Sequence, residues 1–265
     1  MIDAHAHLDK YGQALPRALA QIREHAILTI AVSMDVGSFQ ETQRIAESEP
    51  LLLPSFGVHP WEAPRYSECL PDLDPFLEAC LLIGEIGLDH FFVKDSRHYP
   101  AQDSVFTYFL DAAENQKKIV NIHTKGAEGA VLEHLENRSL HGMLIHWYSG
   151  PLDLVEKFLN LGAYFTVGVE VLRSVHIQSL ARALPLERLL TETDNPGGWE
   201  WMAGELGFPL LLDQVESAVA EIRGLDRSVL TSQMSKNVGR LLSGGGITLP
   251  AWDGLRSTVS GKGPG

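Results

Sequence analysis

Eight short apolar runs alternate with amphipathic segments along the chain, and this alternation limits the possible folds more than any other feature. Amphipathic segments such as QDSVFTYFLDAAENQKK (102–118) place apolar residues at the three- and four-residue intervals of a helix. Runs that are apolar throughout are typical of parallel strands whose two faces are both covered. The eight runs are IDAH from residue 2, AILTIAV from 26, LLLPSFGVH from 51, CLLIGEIGLD from 80, IVNIH from 119, GMLIH from 142, AYFTVG from 163 and RLLTETD from 188.

This pattern predicts an α/β fold. Eight strand–helix units in a chain of 265 residues favour a closed (β/α)8 TIM barrel, and a doubly wound open sheet is the alternative. We predict that residues 1–243 form a single barrel domain. Residues 244–265 contain seven glycines and are predicted to form an extension outside the barrel, with Trp252 able to pin it to the surface.

Composition and charge argue against several classes of protein, namely those with a broad nucleic-acid-binding surface, a membrane span or a cysteine metal site. The net charge of −13 argues against a broad basic surface for nucleic acid, but it leaves room for a local phosphate site carried by metal ions. Neither an apolar run of about 18 residues nor a secretion signal is evident, which argues against membrane association. The two cysteines, Cys69 and Cys80, lack metal-like spacing. We therefore expect a cytoplasmic protein that is a monomer or a weak oligomer.

Polar side chains that suit metal ions accompany six of the eight runs. His5 and His7 share one face of the first strand, because side chains alternate between faces. Glu85 is notable within the apolar GEIGL, where an unpaired carboxylate would be costly. The carboxyl ends of barrel strands meet at one face, where active sites are built. We expect convergence there of His5 and His7 at the end of the first strand, His59 at the third, Glu85 and Asp89 after the fourth, His123 at the fifth, His146 at the sixth and Asp194 at the eighth.

The other histidines occupy predicted helices or loops and are assigned surface or structural roles. They are His25, His90, His98, His134, His141 and His176.

Six short motifs contain the polar residues predicted at the strand ends. They are DAHAHLD (3–9), GVHP (57–60), GEIGLD (84–89), IHTK (122–125), IHWYSG (145–150) and ETDNP (192–196). In order and approximate spacing they resemble the motifs of the TatD family of metal-dependent hydrolases, which are amidohydrolase-like barrels, and the resemblance runs from residue 2 to about residue 243. It implies a (β/α)8 barrel, two divalent metal ions and phosphodiester hydrolysis, commonly as a deoxyribonuclease.

The resemblance also implies a ligand set. The ligands suit Zn, Mn, Mg, Co or Fe, which in pairs acidify water and polarise a phosphoryl oxygen. The implied ligands are His5, His7, Glu85 and Asp194 for one ion and Glu85, His123 and His146 for the other, with Glu85 bridging.

The chemistry also suggests roles other than metal ligation for three residues, Asp194, His59 and Asp89. Asp194 is predicted to orient the attacking water and accept its proton, so that Asp194 and Glu85 are the catalytic residues. His59 resembles a residue that supports the ligands or contacts phosphate. Asp89 is placed to hold a ligand imidazole through its free N–H.

Three departures from the family pattern bear on the substrate. Lys125 stands where many members carry Arg, and it either contacts a phosphate or is solvated. Trp147 and Tyr148 replace the usual Cys-Phe pair. Trp199 and Trp201 are predicted on a Gly-flanked loop, NPGGWEW, where they stack on bases, close a pocket over a small ester or lactone, or anchor the loop.

The sequence therefore predicts a metal-dependent phosphodiesterase that acts on nucleic-acid ends or short single strands. One alternative is a small-molecule amidohydrolase or esterase on the same metal site, because the fold does not fix the bond that is cleaved. The other is a non-catalytic partner subunit that keeps a metal-bound barrel.

Overall fold

A computed structural model describes residues 1–248 and contains one eight-stranded parallel sheet in the order β1 to β8. The predicted barrel is confirmed. The strands are β1 Ile2–Ala6, β2 Leu28–Val32, β3 Leu52–Phe56, β4 Leu82–Gly87, β5 Ile119–His123, β6 Met143–Ile145, β7 Tyr164–Val167 and β8 Leu189–Thr191. Most of the predicted tail, including Trp252, lies outside the described residues.

Helices cover the outside of the barrel between successive strands and after β8. Two of the described helices begin at a capping side chain: the Asp35 carboxylate accepts a hydrogen bond from the Ser38 backbone N–H at 2.8 Å at the start of the helix Val36–Ala46, and Ser174 caps the helix Val175–Ala183 in the same way. Within residues 1–248, no helix combines the length and apolar character needed to cross a membrane. The helices are α1 Leu15–Glu24, α2 Val36–Ala46, α3 Ala63–Tyr66, α4 Asp74–Ala79, α5 Tyr99–Gln116, α6 Glu128–Leu135, α7 Val155–Asn160, α8 Val175–Ala183, α9 Gly197–Ala203, α10 Leu211–Arg223 and α11 Arg227–Gly244.

The strands are buried on both faces, as their apolar runs predict. Every residue of β1, β2, β4 and β5 is buried, including the polar ones. Outside the barrel wall, the Phe56 ring contacts Phe39 and Phe109 at centroid separations of 5.0 and 5.4 Å. This packing fixes β3 against α2 and α5.

Hydrogen bonds join the end of β8 to β1. The Asp3 carboxylate accepts from the Thr193 backbone N–H at 2.9 Å and from the Thr193 hydroxyl at 2.7 Å. Beyond it, the Asp194 N–H donates to the His5 carbonyl at 2.9 Å. The two ends of the sheet thus meet, and Asp194 lies beside the first predicted ligands.

Three predicted strand positions need correction. His59 lies three residues beyond the end of β3 at Phe56. Glu85 lies inside β4 rather than after it, because the strand continues to Gly87. Asp194 lies three residues beyond the end of β8 at Thr191, since Thr193 binds the Asp3 side chain instead of continuing the strand pairing.

The prediction of a loop around Trp199 and Trp201 was wrong, because both residues lie in α9. Pro196 precedes the first helical residue, and Gly204 ends the helix in the left-handed conformation with φ 78°. Proline before a helix and glycine after it are ordinary helix boundaries, so the flanking residues that suggested a loop instead delimit a short helix.

Candidate metal centre

The six predicted ligands converge at the carboxyl ends of the strands. Four of them form one group, in which the Nε2 atoms of His5 and His7 lie 3.3 Å apart. Both imidazoles approach Glu85 Oε2 at 3.4 Å. Asp194 Oδ1 lies 3.5 Å from His5 Nε2 and 3.3 Å from His7 Nε2. Two imidazoles and two carboxylates therefore face a common point.

The other oxygen of Glu85 faces a second group of imidazoles. His123 Nδ1 lies 2.8 Å from Glu85 Oε1, and His146 Nε2 lies 3.1 Å from the same atom. The His5 and His146 rings stack with centroids 3.6 Å apart, which places the two groups side by side. Glu85 thus stands between two sets of nitrogen atoms, with one oxygen directed at each.

Glycines let the strands that carry these residues approach closely. A Cβ at Gly87 would lie 2.0 Å from the His123 carbonyl oxygen, and Gly87 has a φ of 143° that side-chain-bearing residues rarely adopt. A Cβ at Gly57 would lie 2.3 Å from the Glu85 carbonyl oxygen. The glycines in GEIG and FGVH therefore set the positions of Glu85 and His123.

The charges of the site are strongly coupled. Burial opposes ionisation of Glu85, but the imidazoles of His59, His146 and His5 outweigh it and hold the pKa of Glu85 well below its usual range. Burial alone would lower the pKa of His7, whereas hydrogen bonding to Asp194 and Glu85 raises it to about 10. The carboxylates thus demand compensating positive charge, supplied either by imidazole protons or by cations.

The residues present fit divalent cations. Within residues 1–248, three sets of side chains bring potential ligand atoms within 4.8 Å of one another. His7 Nδ1 is buried and lacks a hydrogen-bond partner among the described atoms, so its ring is held mainly through Nε2. Imidazole nitrogen and carboxylate oxygen suit Zn, Mn, Fe or Co. The three sets are His5, His7 and Glu85; His59, Glu85 and His123; and His5, His146 and Glu192.

Asp89 lies beside His123, as its predicted supporting role requires. Its Oδ2 atom is 3.2 Å from His123 Nε2 and accepts a hydrogen bond from the Trp61 indole N–H at 2.7 Å. Its Oδ1 atom accepts from the backbone N–H groups of Phe91 and Phe92. With one ring nitrogen of His123 directed at Asp89, the other is directed at Glu85.

His59 also faces Glu85, from the same side as His123 and His146. Its Nδ1 atom accepts a hydrogen bond from the Trp61 backbone N–H at 3.2 Å, and its Nε2 atom lies 3.4 Å from Glu85 Oε1. Burial lowers the pKa of His59, which favours the neutral ring. A neutral ring that accepts at Nδ1 carries its proton on Nε2, so His59 donates to Glu85.

Sequence reasoning missed two residues that contact ligand imidazoles. Asn121 Oδ1 lies 3.0 Å from His5 Nδ1, and the Asn121 amide donates to the Ala4 carbonyl. Glu192 is fully buried, with Oε2 at 3.2 Å from His146 Nδ1 and Oε1 accepting from the Trp147 N–H. The sequence does contain a pattern that points to both residues. Asn121 stands two residues before His123 and Glu192 two residues before Asp194, and residues at this spacing share one face of an extended strand.

A family comparison decides the classification. The family model described as TatD related DNase matches residues 2–243. The chain belongs to the TatD-related DNase family. Metal-dependent hydrolases and deoxyribonucleases of the TatD type make up this family, and all six ligand motifs of the chain fall within the matched range.

Two relatives and one solved structure illustrate the similarity. The chain is 26% identical over 213 residues to deoxyribonuclease TATDN3 of Homo sapiens, covering 74% of this chain and 78% of that protein. It is 24% identical over 258 residues to the uncharacterized metal-dependent hydrolase YcfH of Escherichia coli K12, covering 91% of this chain and 95% of that protein. The crystal structure of the TatD homologue YJJV from Escherichia coli K12 superposes with a TM-score of 0.83 at 24% identity, covering 91% and 97% of the two chains.

The candidate metal centre of this TatD-family chain opens into a cleft of about 410 Å³, which we call the metal cleft. Trp61, Phe92 and Trp201 line the cleft and are 49%, 43% and 61% exposed. Two lysines, Lys10 and Lys125, are also in its lining. The mouth of the metal centre is therefore aromatic with little positive charge.

The residues expected to contact substrate do not all reach the metal cleft. Lys125 lines it and donates to the Ser149 hydroxyl at 2.7 Å. Trp147 also lines the metal cleft, and its indole N–H donates a hydrogen bond to the Glu170 carboxylate. The centroids of the Trp147 and Trp201 rings are 6.2 Å apart. Trp199 is absent from the lining and packs instead beneath the Arg173 guanidinium, which is the geometry of the anchoring alternative.

Proposed function

We propose that this chain is a phosphodiesterase that hydrolyses DNA at strand ends or within short single strands, with two divalent ions held by the six predicted ligands. The observation that supports this most is the split environment of Glu85, whose Oε2 faces His5 and His7 while Oε1 faces His123 and His146. A carboxylate with one oxygen directed at each of two imidazole groups suits a bridge between two cations.

When bound, the ions would acidify water and polarise a phosphoryl oxygen. Asp194 would orient the attacking water and accept its proton, because it lines the metal cleft with its side chain 23% exposed. Burial opposes its ionisation, but hydrogen bonding to His7 and the charges of neighbouring imidazoles lower its pKa, so the carboxylate is ionised and has a free lone pair. Lys125 would bind a non-bridging phosphate oxygen as a point charge. His59 would hold Glu85 through its Nε2–H.

The aromatic, weakly cationic lining of the metal cleft favours a second candidate, hydrolysis of a small uncharged ester or lactone. A cleft of about 410 Å³ is within the usual range for small-molecule sites. The phosphodiester remains the first proposal, because Lys125 stands at the mouth and a doubly cationic centre suits an anionic substrate.

The test is hydrolysis of a 5′-labelled single-stranded oligonucleotide by protein loaded with Mn or Zn, in parallel with a phenyl ester and a lactone. We expect nucleotide release from the oligonucleotide and none from an Asp194→Asn variant with normal folding. Turnover of the ester or lactone without nucleotide release would favour the small-molecule alternative. Retained metal with neither activity would favour a non-catalytic subunit.

Metal loading is expected to release protons. Without metal, His7 and His146 hold protons at neutral pH, because the adjacent carboxylates raise both pKa values despite burial. A cation requires the unprotonated nitrogen, so apparent affinity should increase about tenfold per pH unit for each proton displaced between about pH 6 and 9. Calorimetric titration with Zn in buffers of different ionisation enthalpy measures this release. Affinity that is independent of pH would contradict it.

Asn121→Ala is expected to weaken metal binding by about 10- to 100-fold, the usual effect of losing a group that orients a ligand histidine. The amide oxygen 3.0 Å from His5 Nδ1 keeps the proton on that atom and leaves Nε2 free. Competition with a fluorescent chelator measures the change, and Asn160→Ala, in α7 on the outside of the barrel, is the control. Equal affinity in the wild type and the Asn121 variant would show that His5 is oriented by packing alone.

A further inference from the structure

A second cleft adjoins the metal cleft and shares Lys125 and Trp201 with it. Its volume is about 450 Å³. The segments that line it follow β4, β5 and β6 and include α8 and α9, so it leads away from His123 and His146 rather than from His5. Its other lining residues are Phe91, Gly126, Glu128, Ser149–Pro151 and His176.

Two large aromatic side chains in this lining are exposed to solvent. Phe91 is 48% exposed and Trp201 is 61% exposed. The backbone of Phe91 packs closely on the loop after β5, where a Cβ added to Gly126 would lie 3.1 Å from the Phe91 Cβ. Exposed aromatic faces beside a cationic centre are typical of surfaces on which nucleobases stack.

The charges favour a base over a second phosphate as occupant. Lys125 stands at the junction of the two clefts, with Nζ 2.7 Å from the Ser149 hydroxyl and 5.7 Å from the Phe91 ring centroid. The Glu128 carboxylate also lines the second cleft, and it accepts a hydrogen bond from the Gly126 backbone N–H at 3.1 Å. A carboxylate repels phosphate but accepts hydrogen bonds from the amino groups of bases.

We propose that the second cleft binds the base of the nucleotide adjoining the scissile phosphodiester, stacked on Phe91 and Trp201, while Lys125 contacts the intervening phosphate. This inference rests on the proposed function and specifies its substrate as a strand with an unpaired base beside the bond that is cleaved. A base in a duplex is already stacked and paired, so it is not free to enter.

The test compares two substrates with the Mn-loaded protein. Phe91→Ala and Trp201→Ala should each lower kcat/KM for a single-stranded tetranucleotide by about 5- to 150-fold, the effect of losing one stacked base. Phe91→Ala should change kcat/KM by less than about twofold for the same tetranucleotide with an abasic residue beside the scissile bond. Trp201 also lines the metal cleft, so Trp201→Ala is expected only to lose less on the abasic substrate than on the intact one. The matched control is Leu81→Ala, because Leu81 is a large apolar side chain that is 56% exposed and lines neither cleft.

Equal losses on both substrates, no loss on either, or the same selective loss in Leu81→Ala would overturn the assignment. Failure of the proposed function is distinguishable, since the wild-type protein would then hydrolyse neither substrate. In that case the affinity of the Mn-loaded protein for the tetranucleotide is measured directly. Weaker binding by Phe91→Ala and Trp201→Ala, but not by Leu81→Ala, would support a base site, and unchanged binding would exclude it.

Discussion

Glu85→Gln is expected to lower phosphodiester hydrolysis by at least about 10³-fold. Glutamine keeps the size of the side chain but removes the negative charge that lies between the two imidazole groups. Loss of one preorganised electrostatic group commonly costs about 10²- to 10³-fold in rate, and Glu85 would serve two ions at once. The measurement is kcat on a single-stranded oligonucleotide at saturating Mn.

Folding and metal content must be followed alongside this rate. Glu205→Gln is the matched control, because the Glu205 carboxylate is exposed and faces neither imidazole group. It accepts a hydrogen bond from the Trp199 indole N–H at 3.3 Å. The control should keep the wild-type rate. A Glu85→Gln protein that is folded and retains more than about a tenth of the wild-type rate would contradict a bridging role, since one such group is worth far more.

Gly87→Ala is expected to lower the free energy of unfolding by about 2–6 kcal/mol, the sum of a strained backbone and an overpacked core. Gly87 has φ 143° and pairs with His123 across β4 and β5. A Cβ there would lie 2.0 Å from the His123 carbonyl oxygen, so β5 has to shift. Urea denaturation measures the change, and metal affinity should fall with it.

Gly162→Ala separates the two causes. Gly162 also has a positive φ, 89°, but its added Cβ meets nothing within 4 Å. Only the backbone cost applies, so the expected loss is about 1–2 kcal/mol, with unchanged metal affinity. If the two alanine variants unfold at the same urea concentration, close packing of Gly87 on His123 does not contribute to stability.

The sequence predicts the strand-borne part of this site well. His5 and His7 are placed by the two-residue period of a strand, and His123 and His146 by the ends of apolar runs. The barrel then brings these positions together, because parallel strands in sequence order direct their carboxyl ends to one mouth. Local pattern and topology are sufficient for these residues.

Other residues of the site cannot be predicted from local pattern, because their positions depend on contacts between segments far apart in the chain. Asn121 and Glu192 act on His5 and His146 from 116 and 46 residues away, and their spacing of two from a predicted ligand does not by itself say which imidazole each would contact. The helical state of α9 was missed because glycine and proline mark both loops and helix ends. The separation of Trp199 from Trp201 follows from that helix, which turns one side chain toward Arg173 and the other toward the clefts.

Metal content tests the central claim most directly. The wild-type protein, purified without chelator, loaded with Zn or Mn and freed of excess ion, is measured by inductively coupled plasma mass spectrometry. We predict about two ions per chain, as a bridging Glu85 requires, and less than about one in Glu85→Gln. Less than about one ion per chain in the wild-type protein, or equal content in the two proteins, would contradict the account.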